Sequence, residues 1–110
     1  MLTADDLKRS ELIAPIVGHV GDGNFHLLIL VDPNDHAEQD RARAFHSRLV
    51  ERAIELEGTC TGEHGVGSGK IQFVERELGD AVEIMHTVKR ALDPRNIMNP
   101  GKIFRARAGV

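Results

Sequence analysis

The chain has 110 residues, 41% of them hydrophobic and 28% charged, which is the ordinary balance of one small soluble domain. Its net charge of -3 argues against a dedicated nucleic-acid-binding protein, because contacts to phosphate need a basic face. The longest apolar run is LLILV, far shorter than the roughly 20 residues of a membrane span, so we expect no transmembrane segment.

The N-terminus and the cysteine content bear on location. The stretch MLTADDLKRSEL lacks the apolar run of a secretory signal, and the single cysteine, Cys60, excludes an internal disulfide framework and fits a reducing compartment. We therefore predict a cytoplasmic protein, with attachment at the inner membrane surface as an option. Because so small a domain buries only roughly 60 to 70% of the surface that its unfolded chain exposes, we also expect a ligand, a partner or a second copy of the chain to cover part of it.

The first elements predicted are a helical end and a β-hairpin. Residues 3–10 have helical composition, like the last turns of a longer helix. APIVGHV and FHLLILVD then predict two strands joined by the turn GDGN. The second strand is apolar on both alternating sets of side chains, so we expect both of its faces to be covered.

A long helix is predicted after the turn DPND. Asp35 and Glu38 have the spacing of a capping box, and Gly58 provides the stop after about Leu56. An apolar stripe at steps of three and four supports this helix: Ala42, Phe45, Leu49, Ala53 and Leu56.

The second half of the chain is predicted to be mainly helical. TCTG should form a short third strand before a glycine-rich segment. Helices are predicted over Ile71–Leu78 and residues 80–92, the second of which opens on a D-x-x-E box and ends at Asp93-Pro94. NPGKIF should be an irregular tail.

The glycine-rich segment GEHGVGSG matches none of the common phosphate-binding loops. A P-loop ending on Gly69-Lys70 would need a glycine where His64 stands and a hydroxyl where Ile71 stands. The earlier Gly-Asp-Gly does not fit a dinucleotide fingerprint either, because His26 occupies the third glycine position and the motif leads into a strand. One cysteine cannot supply the thiolates of a zinc finger.

The candidate site that survives consists of His19, His26, Glu63 and His64. The two strand ends of a hairpin lie side by side, so His19 and His26 could present imidazole nitrogens to one metal ion, with Glu63 as the carboxylate ligand. In extended chain Glu63 and His64 should point to opposite sides, which leaves His64 for a different task. Two histidines and one carboxylate leave coordination positions open for a substrate and suit zinc or manganese. The alternative from the residues alone is that these are ordinary side chains near surface loops.

Three motifs in register resemble one family. HVGDGNFHLLILVDP, GTCTGEHGVGSGK and LDPRNIMNPGKIF are similar to the C-terminal part of FAD-linked 2-hydroxy-acid dehydrogenases of the vanillyl-alcohol-oxidase type. The resemblance extends from about Ile13 to Phe104. Within this family it is closest to the D-lactate dehydrogenases that pass electrons to a cytochrome, with the FAD subunit of glycolate oxidase and D-2-hydroxyglutarate dehydrogenase as near relatives.

The resemblance implies a metal and a catalytic base. His19, His26 and Glu63 would hold the divalent metal. A metal on the substrate oxygens orients a 2-hydroxy acid and lowers the pKa of its hydroxyl, while His64 would accept the proton. The flavin performs the redox step itself.

The resemblance also implies where the flavin lies. Glu63, His64, Gly65 and Asn99 would line the cofactor, and the tail over residues 99–102 would return to the FAD-binding domain. Leu28 stands where relatives acting on hydroxyglutarate are expected to have a polar residue, which favours a smaller substrate such as D-lactate or glycolate, oxidised to the 2-oxo acid.

The fold implied by the resemblance is of the α+β class: part of a ferredoxin-like antiparallel sheet with helices on one side, plus C-terminal helices. Residues from about 11 to 70 would be the second half of a cap domain, and those from about 71 to 106 a helical segment returning to the FAD domain. We expect the FAD-binding domain to lie upstream or in a separate subunit, an acceptor protein or quinone to take the electrons, and the isolated chain to be inactive. The competing interpretations are a non-enzymatic metal- or small-acid-binding module and a structural role in association.

Overall fold

The computed structural model describes residues 2–105 of a chain that divides into two compact units, Met1–Arg52 and Ala53–Val110. The described residues form four α-helices and a two-stranded antiparallel sheet, so the predicted α+β class is confirmed. Between residues 2 and 105 no helix has both the length and the apolar composition needed to cross a bilayer.

An ion-pair network fixes the first helix of the first unit. Helix α1, Leu2–Arg9, carries the buried Asp6, whose carboxylate accepts hydrogen bonds from Arg48 at 2.8 Å and Arg52 at 3.0 Å. Both arginines lie on helix α2, His36–Glu55, so these bonds hold α1 against α2. The hydrogen bond from Arg48 is the main cause that lowers the pKa of Asp6 to about 2; burial opposes it and Arg52 assists it.

The first unit contains the predicted hairpin. Strands β1, Ile16–His19, and β2, Asn24–Leu27, pair in antiparallel register and are joined through a 3-10 turn over Val20–Asp22. Beyond the strands, Ile13 and Leu30 form one further bridge. The hairpin prediction is therefore confirmed, with strands shorter than the sequence pattern indicates.

The expectation that both faces of the second strand are covered is wrong for this chain. Phe25 is 45% exposed, and Leu28 and Leu30 beyond the strand are 55% and 56% exposed. The reason is that, among the described residues, no helix packs closely against the two strands, so no second layer covers the faces of the sheet. The hairpin thus presents apolar side chains at its surface.

Helix α2 begins with half of the predicted capping box. Asp35 Oδ1 accepts the backbone N–H of Glu38 at 2.9 Å, as a cap should. The carboxylate of Glu38, however, accepts the N–H of Asp32 at 2.6 Å, so it closes the preceding turn. At the other end the N–H of Gly58 donates to the carbonyl of Ala53 at 2.8 Å, which stops the helix where the sequence predicts.

The second unit contains helices α3, Ile71–Leu78, and α4, Ala81–Leu92, within one residue of the prediction. The D-x-x-E box at the start of α4 is not formed. Asp80 already has helical backbone angles, φ -63 and ψ -19, and its side chain makes no capping bond. The N–H of Glu83 bonds the Asp80 carbonyl instead, at 3.1 Å.

The predicted third strand is absent from residues 59–62. The N–H of Cys60 donates to Glu77 Oε2 at 2.7 Å, and the N–H of Thr61 donates to Thr59 Oγ1 at 3.4 Å. Side-chain oxygens therefore take the donors that a neighbouring strand would have used. Each unit has a small core: Leu12, Ala14, Phe45 and Val50 in the first, and Cys60, Phe73, Val74 and Val82 in the second.

Candidate functional site

The hairpin positions His19 and His26 on one face of the sheet. Val17 lies opposite His26, and His19 lies opposite Asn24. Residues that pair across the ladder share a face, as do residues two apart on one strand, so the two histidines are diagonal neighbours on a common face. At the roughly 7–8 Å typical of diagonal neighbours, two imidazole rings can turn their nitrogens toward one ion.

A glycine permits the close approach of the two strands. A Cβ on Gly18 would lie 2.5 Å from the Cα of Phe25 and 2.6 Å from the carbonyl oxygen of Asn24. Both of these atoms belong to the backbone, so they cannot move aside without separating the strands. The sequence between the two histidines is therefore constrained by packing as well as by its turn.

Glu63 and His64 lie in a turn, which corrects the prediction of extended chain. The N–H of Gly65 donates to the carbonyl of Gly62 at 3.1 Å, and residues 63 and 64 occupy the corners. Glu63 Oε1 and His64 Nε2 are 3.8 Å apart, and the two side chains are 48% and 79% exposed. The side chains do not diverge as an extended segment would require. The assignment of Glu63 to the metal and His64 to catalysis stays a prediction, as does the joint ligand set with the histidines of the first unit.

The glycine loop, residues 62–69, is tied to the C-terminal tail of the same unit. Gly67 has φ 55, in the left-handed region that favours glycine, and its carbonyl accepts the N–H of Ile103 at 2.8 Å. Gly65, a predicted cofactor contact, also has a left-handed backbone, with φ 73. The loop that carries Glu63 and His64 is thereby held to the segment that follows Asn99.

Asn99, another predicted cofactor contact, follows a turn that Asp93 organises. The carboxylate of Asp93 is buried and accepts the N–H of Ile97 at 3.0 Å and that of Met98 at 2.9 Å. Lys89 pairs with the same carboxylate and also donates to the Met98 carbonyl at 2.6 Å. Three hydrogen bonds from two paired side chains therefore fix the backbone just before Asn99.

This network was not predicted, because in the sequence Asp93-Pro94 marks only the end of a helix. The available signal was Lys89, four residues earlier on the same helix face, together with the two free N–H groups that a turn after Pro94 must satisfy. The hydrogen bond from Lys89 is the main cause that lowers the pKa of Asp93; burial opposes it, and the N–H groups of Met98 and Ile97 assist.

The single cysteine is not suited to nucleophilic chemistry. Cys60 is buried, and burial in the first place, with the Glu77 carboxylate in the second, raises the pKa of its thiol to about 11. Because the thiolate is the reactive form, this raised pKa disfavours nucleophilic chemistry of Cys60 at neutral pH. Glu77 instead accepts the backbone N–H that shapes residues 59–61.

Comparisons with known proteins agree on one family. Residues 2–103 match the family described as FAD linked oxidases, C-terminal domain. A probable mitochondrial D-lactate dehydrogenase of Danio rerio is 53% identical over 103 residues, which cover 93% of this chain and 21% of that protein. Mitochondrial D-lactate dehydrogenase [cytochrome] 1 of Saccharomyces cerevisiae is 50% identical over 105 residues, 94% of this chain and 17% of that protein.

A bacterial relative is named for a different substrate. The glycolate oxidase subunit GlcD of Bacillus subtilis is 46% identical over 88 residues, which cover 79% of this chain and 19% of that protein. The chain spans about a fifth of the length of the curated relatives it matches.

Proposed function

The chain belongs to the family of FAD linked oxidase C-terminal domains, and from this premise we propose that it forms the substrate- and metal-binding C-terminal part of an FAD-dependent D-2-hydroxy-acid dehydrogenase. The reaction would oxidise D-lactate or glycolate to the 2-oxo acid and transfer a hydride to FAD. The observation that carries this proposal is the similarity of nearly the whole chain to D-lactate dehydrogenases, at 53% and 50% identity.

We assign the divalent metal, zinc or manganese, to His19, His26 and Glu63. The donor set supports this, because two imidazoles on one hairpin face and one solvent-exposed carboxylate are ligands that both ions accept. When bound, such a metal polarises the substrate oxygens and lowers the pKa of the substrate hydroxyl. The hairpin backbone would fix the spacing of two ligands before the metal arrives.

We assign the proton acceptor role to His64. Its ring is exposed, so a substrate could reach it, and its Nε2 lies 3.8 Å from Glu63 Oε1. A carboxylate at this distance can orient the ring and stabilise the imidazolium that proton transfer creates. In this proposal Glu63 serves both the metal and the base, while Glu63, His64, Gly65 and Asn99 line the flavin.

The proposal requires a second domain. Since none of the glycine motifs fits a phosphate-binding loop, most of FAD would be bound by an FAD-binding domain, upstream in the same polypeptide or in a separate subunit. Residues from about 11 to 70 would then complete a cap domain, and those from about 71 to 106 would pack against the FAD domain. An acceptor protein or a quinone would take the electrons, at a cytoplasmic or membrane-surface location, and the chain alone would be inactive.

We propose a small substrate because of Leu28. Leu28 lies two positions after His26, just beyond strand β2, and is 55% exposed. It therefore presents an apolar surface close in sequence to a candidate metal ligand. A second carboxylate, as in hydroxyglutarate, would lose hydration there without gaining a hydrogen bond. D-lactate and glycolate carry no such group.

The test compares the complete enzyme that contains this sequence with the chain alone. The complete enzyme should bind FAD and oxidise D-lactate or glycolate faster than D-2-hydroxyglutarate, measured with an artificial electron acceptor. The chain alone should show neither flavin absorbance nor turnover. Flavin that stays with the isolated chain through purification would contradict the two-domain proposal, and a complete protein that binds metal but no flavin would favour the non-enzymatic module.

A further inference from the structure

A small cleft in the second unit carries a concentration of positive charge. Helix α4 from His86 onward and the segment over residues 96–105 enclose a volume of about 130 Å³. Its lining includes four basic side chains, from Lys89, Arg90, Lys102 and Arg105. The chain as a whole has a net charge of -3, so this cleft opposes the overall charge of the protein.

Only one of the four cations is neutralised within the lining. The single carboxylate among the described lining residues is that of Asp93, which already binds Lys89 and two backbone N–H groups. Arg90, Lys102 and Arg105 therefore surround the cleft without a carboxylate in its walls. Like charges gathered in this way repel one another, and a bound anion relieves the repulsion.

The walls of the cleft are fixed by contacts within the same unit. The rings of His86 and Phe104 lie with their centroids 4.5 Å apart. The N–H of Ile103 bonds the carbonyl of Gly67 at 2.8 Å, and Asp93 holds the backbone of residues 97 and 98. A ligand would thus enter a site whose backbone is already ordered, which reduces the entropy lost on binding.

Size and charge select the ligand. The volume of about 130 Å³ is well below the roughly 300–1,000 Å³ of sites for drug-sized molecules, so the cleft suits one compact group. Guanidinium groups bind tetrahedral oxyanions with paired hydrogen bonds, and three cations match a dianion better than a single carboxylate. We propose that the cleft binds a phosphate group through Arg90, Lys102 and Arg105.

Inorganic phosphate is the probe for the first test. Titrated into the chain at low ionic strength and followed by calorimetry, phosphate should bind saturably in the millimolar range or tighter. Arg90→Gln and Lys102→Gln should each weaken binding about 10-fold or more, because each removes a charge-assisted contact. Arg95→Gln is the matched control, since Arg95 is exposed in the same segment and does not line the cleft. The proposal is overturned if no saturable binding occurs, or if Arg95→Gln weakens it as much as the other two.

The second test identifies the source of the phosphate and uses the complete flavoenzyme. If a phosphate of FAD fills the cleft, free phosphate should not bind the loaded enzyme, and Arg90→Gln should lower the affinity for FAD. If the ligand is free phosphate, it should bind the loaded enzyme and Arg90→Gln should leave the affinity for FAD unchanged. The titration of the chain does not depend on flavin, so a failure of the proposed dehydrogenase function would be seen separately.

Discussion

The hairpin and the glycine loop both carry predicted metal ligands, but glycine has a different physical purpose in each. In the hairpin, Gly18 is required because a Cβ there would lie 2.5 Å from the Cα of Phe25. In the glycine loop, a Cβ on Gly67 would meet no atom within 4 Å, and the residue is favoured by its φ of 55. Cross-strand contact therefore determines the geometry of one segment and local turns determine that of the other.

We expect the largest effect in the glycine loop, where replacing His64 tests whether this residue serves catalysis or binds the metal. In the complete enzyme His64→Asn should lower turnover by about 10²- to 10⁴-fold, the usual contribution of a general base. Metal content should not change, whereas Glu63→Gln should lower it. If His64→Asn removes the metal, or leaves turnover within a few-fold of the parent, the role proposed for His64 is wrong.

A change in the hairpin should act through packing. Gly18→Ala forces a methyl group into backbone atoms of the other strand, and we expect a loss of about 1–3 kcal/mol in the free energy of unfolding, measured by urea titration. Gly21→Ala is the matched control in the connecting turn, since a Cβ there meets nothing within 4 Å. Equal effects of the two variants would show that strand contact does not constrain the hairpin.

The unit that contains the hairpin should lose stability in acid. The pKa of Asp6 is lowered to about 2 in the folded chain, below its unfolded value of about 4, so its ion pairs stabilise the fold above pH 4 and are lost as the pH falls toward 2. Asp6→Asn should cost about 1–2 kcal/mol at pH 7, because Arg48 is half exposed and solvent screens part of the interaction. The difference in the free energy of unfolding between Asp6→Asn and the parent should shrink near pH 2.

The control for Asp6 is a surface ion pair of the same unit. Asp40 pairs with Arg43, and both side chains are at least 70% exposed. Asp40→Asn should therefore change the free energy of unfolding little at any pH. If both variants had the same pH dependence, the acid response would come from net charge and not from the buried network.

The smallest effect belongs to the glycine loop. Gly67→Ala adds no steric clash but places alanine in a left-handed conformation, which should cost about 1 kcal/mol in the free energy of unfolding. Urea titrations of Gly67→Ala and Gly18→Ala under the same conditions compare the two losses in the free energy of unfolding directly. A loss as large as that of Gly18→Ala would mean that the loop is also limited by contact.

The elements that the sequence predicted are those with a repeating pattern. The helices α2, α3 and α4 agree with their periodicity and stop signals, and the hairpin agrees with its apolar runs and glycine turn. Short capping signatures predicted the structure less reliably than the periodic patterns did. Asp35 and Asp80 share the D-x-x-E spacing, but only Asp35 caps a helix, because Asp80 itself has helical backbone angles.

One error occurred where a side chain replaces a backbone partner. The third strand failed because Glu77, distant in sequence, bonds the N–H of Cys60. For the candidate site, the common face of His19 and His26 follows from the hairpin register. The turn that brings the side chains of Glu63 and His64 together could not be predicted from the sequence, because a turn in a glycine-rich segment has no periodic signal.

We propose that the two hairpin histidines and Glu63 together hold a divalent metal in an FAD-dependent dehydrogenase. The most direct measurement is the metal content and metal affinity of His26→Ala in the complete enzyme, with His36→Ala as a control at an exposed histidine outside the hairpin. We predict that His26→Ala loses more than the roughly 10- to 100-fold in affinity typical of a residue that only supports a ligand, while His36→Ala binds as the parent does. Equal metal content in His26→Ala and the parent would show that His26 is not a metal ligand.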